Sequence, residues 1–338
     1  MINFIEDLFK FLKFKKKEKY FDNLFFVENK FLYQYLLPYI PRKSDKKKII
    51  IFTFEEQKDH LIKDVYYLVL KTNFFRELFF LTLKIKYIYC STPDLNNSFF
   101  KKTKLYQSKY IYIQHSPISL TAGYNKNAFK YFDAIQAINK YQFKEIIEIA
   151  KKFNAKIKPF KSKYKFILNK KLEKKHTYDV VIAPTWNTDF YKNQCHIKLA
   201  QFLREKELSF IIRPHPASYK KKEITFNELS QQNINIDKDY LLDFNKFNFL
   251  ISDWSGIYLE YALIKKQMSF LINTPRKILN NEHQSYNSKS IELDQRENLG
   301  KIYELNELEE LVNEISKIKL MSKNNEIKNF YKFSSLFY

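Results

Sequence analysis

The sequence predicts an α/β protein of two doubly wound domains that face each other across a cleft. Three observations predict it. Short apolar runs alternate with helical stretches, and a run apolar throughout belongs to a strand covered on both faces, hence to a parallel sheet. The 338 residues suit about two domains, and a chain of that size buries roughly three quarters of its unfolded surface. Finally, polar clusters fall where apolar runs end, and open α/β sheets bind ligands beyond the carboxyl ends of their strands.

Residues 2–19 pattern as an amphipathic helix, with Ile2, Ile5, Leu8, Phe9 and Leu12 on one face and a basic end from Lys13 to Lys19. Two destinations suit it: an anionic membrane interface, or the flank of its own domain. A strand at 48–54 follows a lysine run, and 59–71 reads as a helix. Residues 86–90 form a strand ending in the turn Ser91-Thr-Pro-Asp94. The strand 110–114 runs into His115-Ser116-Pro117, 132–138 is a further strand, and 140–154 is a helix. From 156 to 177 lysines accumulate and helical periodicity fades, which places the domain boundary inside that stretch. The second half repeats the logic. Strand 178–183 leads to Pro184-Thr-Trp-Asn187, helix 192–206 follows, and strand 209–212 runs into Arg213-Pro-His-Pro216. Leu250 and Ile251 end another strand, Ile257, Tyr258, Tyr261 and Ala262 recur at helical spacing, 268–273 is the last strand, and 305–319 closes as a helix.

Composition narrows the function classes. Against 37 Asp+Glu stand 59 Lys+Arg, a net charge of +22 that favours anionic partners. The lysines are spread among Asn, Ile, Phe and Tyr, as A/T-rich codon usage would place them. No zinc-finger spacing, RRM-type aromatic motif or helix-turn-helix accompanies them, so no nucleic acid is expected. An anionic membrane or substrate fits the charge better. Cys90 and Cys195 are far apart and read as reduced thiols in a cytosolic protein. The start, Met1-Ile-Asn-Phe-Ile-Glu-Asp7, has acids where a secretory signal has positive charge. Glu28, Lys30, Lys71, Arg76 and Glu77 interrupt every stretch approaching the ~18 apolar residues of a membrane span. The expected location is the cytoplasm, soluble or peripheral on the inner face of its membrane.

The sharpest chemical signal is Phe249-Leu-Ile-Ser-Asp-Trp-Ser-Gly-Ile-Tyr-Leu-Glu260. A strand that opens a helix through Ser252, Asp253, Ser255 and Gly256 offers backbone N–H groups at the positive end of a helix dipole, a site for phosphate. The chain has only three glycines, and one stands here to permit close approach of a ligand. Asp253 would repel phosphate, and three readings suit it: helix cap, partner of a histidine, or metal ligand. Glu260 takes ribose hydroxyls or is a surface acid in the first turn. In Arg213-Pro-His215-Pro216 two prolines stiffen a loop that projects a planar guanidinium fork and an imidazole, suited to phosphate oxygens and to a leaving group. The alternative is an ordinary proline-rich turn. Thr185 lies at a third strand end, and His115 at a fourth. His115 reads either as the general base on an acceptor hydroxyl or as a capped turn histidine. No G-x-S-x-G elbow, P-loop, G-x-G-x-x-G or HExxH is present. Asp133, Asp179 and Asp189 do not pair as glycosidase carboxylates. No cofactor and no metal site is assigned.

Taken in order, these clusters resemble the CDP-glycerol glycerophosphotransferase family, the teichoic-acid primases and polymerases and their capsule-associated relatives. The resemblance rests on Tyr89-Cys-Ser-Thr-Pro-Asp94, Tyr112-Ile-Gln-His-Ser116, Phe129-Lys-Tyr-Phe-Asp133, Ala183-Pro-Thr-Trp186, Arg213-Pro-His-Pro216, and Ser252-Asp-Trp-Ser-Gly256 with Glu260-Tyr-Ala262. Asn273-Thr-Pro-Arg-Lys277, Arg296 and Gly300 add to it, so that it spans roughly residues 48–335. It implies a GT-B fold of two Rossmann-like domains, here 1–165 on the acceptor side and 166–325 on the nucleotide-donor side. A tail, 326–338, is expected to pack back toward the first domain. It also implies transfer of a polyol phosphate from a CDP-activated donor to a hydroxyl of a cell-surface glycan or polyol-phosphate acceptor, lipid-linked or free, with release of CMP. By the family pattern His115 is the base, Arg213 and His215 hold the donor phosphates with His215 also catalytic, and Thr185, Ser252, Asp253, Ser255, Gly256 and Glu260 complete the donor site. Many members carry His-Gly where this chain has His115-Ser116, which leaves the identity of the polyol open. The competing enzyme is a GT-B glycosyltransferase or nucleotide-sugar epimerase of surface polysaccharide synthesis, and the non-enzymatic alternative is a cationic binding protein.

Overall fold

The computed structural model describes residues 2–41, 49–54, 62, 65–96, 99–168, 176–186, 188–237, 243–321 and 326–338. The lysines at 46–48, much of the predicted helix 59–71, Asn187 and part of the predicted boundary 156–177 lie outside them. The chain divides into two compact units. One comprises residues 1–168, 279–288 and 337–338, the other 169–278 and 289–336.

In the first unit seven strands form one sheet: β1 (Asn23–Val27), β2 (Ile49–Thr53), β3 (Tyr66–Val69), β4 (Tyr87–Cys90), β5 (Lys109–Tyr112), β6 (Ala134–Ala137) and β7 (Lys158–Lys161). Their order is β3-β2-β1-β4-β5-β6-β7, and each pairing is parallel. All five residues of β2 are buried, as a strand covered on both faces requires. Alternate residues go to opposite sides: Leu24, Phe26, Ile50 and Phe52 join a core with Phe79, Phe80 and Phe100, while Phe25, Val27, Ile49 and Ile51 pack with Tyr33 and Leu36. The helices are α1 (Ile2–Lys17), α2 (Lys30–Leu36), α3 (Asn73–Thr82), α4 (Lys140–Lys152) and α5 (Lys165–Leu168).

Two expectations are corrected here. The stretch read as a helix over 59–71 contains β3, whose Tyr-Tyr-Leu-Val run is aromatic and β-branched and pairs with β2 from Ile50↔Tyr66 to Thr53↔Val69. In α1 the buried positions are Asp7, Phe11 and Phe14, not the predicted stripe. The buried Asp7 accepts from the Lys71 and Thr72 amides and the Thr72 hydroxyl at 2.7–3.1 Å, a carboxylate placed at the N-terminus of α3.

The second unit has β8 (Tyr178–Ile182), β9 (Phe210–Ile212), β10 (Phe247–Ser252), β11 (Ser269–Ile272) and β12 (Gly300–Tyr303) in the order β12-β11-β10-β8-β9, all parallel. Its helices are α6 (Cys195–Glu205), α7 (Pro216–Lys220), α8 (Phe226–Gln231), α9 (Ile257–Lys265), α10 (Ile291–Leu299), α11 (Leu308–Leu320) and α12 (Phe330–Ser334). Val180, Ile182, Phe249 and Ile251 build the core with Leu199, Leu203, Leu311 and Ile315. Gly300 opens β12 where a Cβ would stand 2.4 Å from Leu271 Cδ1, so the strand pairs closely only because the side chain is missing. The segment 279–288, predicted within the second domain, packs with the first unit: Asn280 Nδ2 donates to the Thr121 carbonyl at 2.9 Å and Glu282 pairs with Lys152 at 2.9 Å. The Tyr338 amide donates to the Ile138 carbonyl at 3.0 Å.

Candidate active site

In the second unit the chain passes from β8 outward to β9 and returns to β10 on the other side of β8. The strand order therefore reverses between β8 and β10, the place where doubly wound sheets bind ligands. The four loops that leave the carboxyl ends of β11, β10, β8 and β9 lie side by side there. They carry Arg276 and Lys277, Asp253 to Gly256, Pro184 to Trp186, and Arg213 to Pro216.

Three of the predicted donor residues hold these loops to one another. Ser252 is buried and its hydroxyl donates to the Ala183 carbonyl at 2.7 Å. Asp253 is buried too; its Oδ1 accepts from the Thr185 amide at 2.7 Å and its Oδ2 from the Thr188 hydroxyl at 2.9 Å. The carboxylate thus joins the β8 and β10 loops, and its partners are neither a histidine nor the amides of α9. Burial raises its pKa, opposed by the Thr185 amide, the Thr188 hydroxyl and Arg296. Arg296 reaches in from α10, donating to the Asp253 carbonyl at 2.5 Å and to the Ile272 carbonyl at 3.0 Å, with its guanidinium 3.9 Å from the centroid of Trp254. Glu260 is 4% exposed, which removes the surface-acid reading.

The remaining groups are partly open. His215 precedes α7 and its Nδ1 accepts from the Ala217 amide at 3.1 Å, so a neutral ring carries its proton on Nε2 as a donor. Trp186 lies beside it, centroids 6.2 Å apart. Two ammonium groups sit over Trp186, Lys277 at 3.9 Å and Lys221 at 4.2 Å from its centroid. Burial brings Lys277 down to about 8, opposed by Asp253 and Glu223. Arg213, half-buried, is fixed at the end of β9 by its amide donating to the Ile182 carbonyl at 2.8 Å. Ser255 and Gly256 are partly exposed at the start of α9. Gly256 has φ −58°, a helical value open to any residue, so left-handed backbone is not what a glycine supplies there. Lys221 and Lys277 escaped selection from sequence. Lys277 ends the Asn273-Thr-Pro-Arg stretch, but only the neighbouring strand order brings it to Trp186.

His115 belongs to the first unit, beyond the carboxyl end of β5. Its Nδ1 is 2.9 Å from the Tyr112 hydroxyl and its Nε2 is 3.4 Å from that of Tyr124. Phe31 and Tyr35 close the surround at 6.5 and 6.1 Å between centroids. Burial among these rings pulls the imidazole down to about 4, opposed by the Ser91 carbonyl. The loop is firmly held: the Asn139 side chain donates to the Pro117 carbonyl at 3.0 Å and Gln142 to the Ser116 and Ile118 carbonyls at 3.1 and 2.9 Å. Gln114 is buried against Gln136, donating to its carbonyl at 2.8 Å. Among the described residues no three His, Cys, Asp or Glu side chains gather to hold a metal ion.

A family model described as CDP-glycerol:poly(glycerophosphate) glycerophosphotransferase matches residues 149–337. That stretch includes Arg213, His215 and the turn 252–256, and leaves His115 outside. No curated protein matches the sequence. Among solved structures, the MnaA–UDP co-structure from S. aureus is similar at 12% identity over 92% of this chain and 93% of that one, with a TM-score of 0.50. A UDP-N-acetylglucosamine 2-epimerase from Rickettsia bellii is 13% identical over 89% and 95%, with a TM-score of 0.48. At such identity the likeness concerns fold alone, and the fold of this chain is GT-B-like, two α/β units each built on a parallel sheet.

Proposed function

The chain belongs to the CDP-glycerol:poly(glycerophosphate) glycerophosphotransferase family, a family of transferases, and on that premise we propose that it moves a polyol phosphate from a CDP-activated donor to a hydroxyl of a cell-surface glycan or polyol-phosphate acceptor. The acceptor oxygen attacks the phosphorus that bears the polyol. The bond from that phosphorus to the bridging oxygen breaks, CMP leaves with the oxygen, and a phosphodiester remains. In-line displacement of this kind asks for positioning and charge neutralisation more than for covalent chemistry by the protein.

The observation that carries the reading is the division of labour at the strand ends of the second unit. The one acid of the turn, Asp253, is buried against Thr185 and Thr188, while His215, Lys221 and Lys277 gather at Trp186. Arg213, Lys277 and the Nε2–H of His215 are assigned to the diphosphate, with Ser255 and Gly256 offering backbone amides. Ser252, Asp253 and Thr185 position those loops. Each well-placed donor contributes roughly 3 kcal/mol to lowering the barrier. His115 is assigned the acceptor proton. Tyr112 holds Nδ1, which leaves Nε2, with its longer contact to Tyr124, as the nitrogen that meets the acceptor hydroxyl.

A thermal-shift screen tests the donor assignment, because a ligand that binds only the folded protein raises its melting temperature. CDP-glycerol or CDP-ribitol, and CMP less strongly, are expected to stabilise the chain. Stabilisation by UDP- or GDP-sugars alone would contradict the reading.

A further inference from the structure

His115 stands among hydroxyl groups whose direction of hydrogen bonding decides which ring nitrogen can take a proton. Tyr112 ends β5, where it is fully buried and packs edge-on against Phe129 and Phe132, at 5.0 and 5.4 Å between centroids. Its hydroxyl meets Nδ1 at 2.9 Å. Tyr124 comes from the loop after Pro117, and that loop is built to place it. The buried Glu145 accepts from the Ser119 hydroxyl at 2.5 Å and from the Leu120 amide at 2.8 Å. The chain then turns back, so that the Gly123 amide donates to the Ser119 carbonyl at 3.2 Å. A Cβ on Gly123 would stand 2.8 Å from Ile118 Cδ1 and 2.9 Å from that carbonyl, so a bulkier residue would push the turn, and Tyr124 with it, away. From there the Tyr124 hydroxyl reaches Nε2 at 3.4 Å, its ring edge-on to the imidazole.

A hydroxyl donates one proton and accepts others, while a neutral imidazole has one N–H and one lone pair. Which nitrogen carries the proton is set by the bond the other nitrogen makes. Two senses are open to these three groups. If Tyr112 donated to Nδ1, the ring proton would sit on Nε2, and that nitrogen could take none from a substrate. The surroundings favour the other sense. Burial, and then the neighbouring Tyr124 hydroxyl to which Tyr112 is hydrogen-bonded, hold the Tyr112 proton far above the usual phenol range, as happens when Tyr112 donates and Tyr124 accepts. The Tyr112 oxygen is then left to accept from Nδ1–H. Nε2 keeps its lone pair, and its longer contact to Tyr124 is the one an incoming hydroxyl can replace.

We propose that Tyr112 and Tyr124 are positioning residues: through hydrogen bonds running from Nδ1–H to Tyr112 and on to Tyr124, they fix His115 with its proton on Nδ1 and present Nε2 as the base. This assignment rests on the reading of His115 as the base, but the tautomer is measured on the resting protein, so it and the transfer reaction can fail separately. With the full chain ¹⁵N-labelled at its six histidines, long-range ¹⁵N–¹H correlation identifies the ring whose signals His115→Gln removes. A protonated Nδ1 and an unprotonated Nε2 are expected near neutral pH. Tyr124→Phe deprives the Tyr112 hydroxyl of its acceptor, turns it toward Nδ1 and is expected to move the ring proton to Nε2. Tyr112→Phe, which keeps the core ring, is expected to leave a mixture of the two forms. Phe31→Leu changes a ring packed on His115 without touching a hydroxyl, and is expected to leave the proton on Nδ1, which separates hydrogen bonding from packing. In turnover, Tyr124→Phe is expected to lower kcat by at least about 10²-fold, as a misplaced tautomer does, with KM for the CDP-polyol unchanged. A proton on Nε2 in the unmodified chain would overturn the proposal. So would an unmoved proton in both Tyr112→Phe and Tyr124→Phe, an equal movement in Phe31→Leu, or a normal kcat in Tyr124→Phe once its proton has moved. If the unmodified chain shows the expected tautomer but releases no CMP, the hydrogen-bond assignment stands and the transfer reading falls.

Discussion

His115 is held by tyrosine hydroxyls on both nitrogens and surrounded by aromatic rings, and that setting decides its chemistry. An imidazole brought down from 6.5 to about 4 is neutral throughout the physiological range, as a base must be. Activity is therefore expected to stay level as pH falls through 6.5 and to decline only near 4, read from a kcat/KM profile. The same burial lowers folding stability over that interval, because the unfolded chain takes up a proton there which the folded site resists. His115→Ala is expected to reduce kcat by about 10²–10⁴ while the thermal shift with CMP persists; normal turnover would remove His115 from the reaction. Lys277 gives the opposite limb. Its ammonium loses charge as pH rises through about 8, so the KM for donor is expected to rise there, and Lys277→Met is expected to abolish that limb. His115, Arg213 and His215 could be singled out in the sequence because each stands within three residues of a strand end. The role of Asp253 was not, since Thr185 and Thr188, which occupy its oxygens, stand 68 and 65 positions away.

Among elements, the parallel strands were read most reliably where the run is apolar nearly throughout, as in β2 and β9. β3 was missed because Tyr66-Tyr-Leu-Val69 is too short an apolar run for its period to tell a strand from a helix. β1 was passed over although all of Leu24 to Val27 is buried. The apolar band of α1 was legible but its destination was not, because such a band identifies a surface that avoids water and not the surface that covers it. Asp253→Ala would leave the Thr185 amide and the Thr188 hydroxyl without their acceptor, at a cost of about 1–3 kcal/mol for each buried group. A lower melting temperature with weaker donor binding is the expected signature of a positioning role, and unchanged stability would contradict it. Gly300→Ala, which sets a Cβ against Leu271, is expected to cost about 1–3 kcal/mol by overpacking, measurable as a lower denaturation midpoint.

At the scale of the molecule, two parallel α/β sheets were visible from the alternation of apolar runs and helices. The composition of the units was only partly so. The segment 279–288 belongs with the first unit through Asn280, Glu282 and Ser288, contacts between residues far apart in the chain that no local pattern announces. Among the described residues no helix is long and apolar enough to cross a membrane.

In the proposed reaction a phosphoryl group bearing a polyol passes from a cytidine diphosphate to a hydroxyl. Incubating the full chain with CDP-glycerol or CDP-ribitol and a polyol-phosphate acceptor, and following products by ³¹P resonance, tests it most directly. Stoichiometric CMP and a new phosphodiester signal are expected, both lost in Arg213→Ala. Formation of a nucleoside diphosphate with a glycosidic bond from a nucleotide sugar, and no CMP from either CDP-polyol, would contradict it.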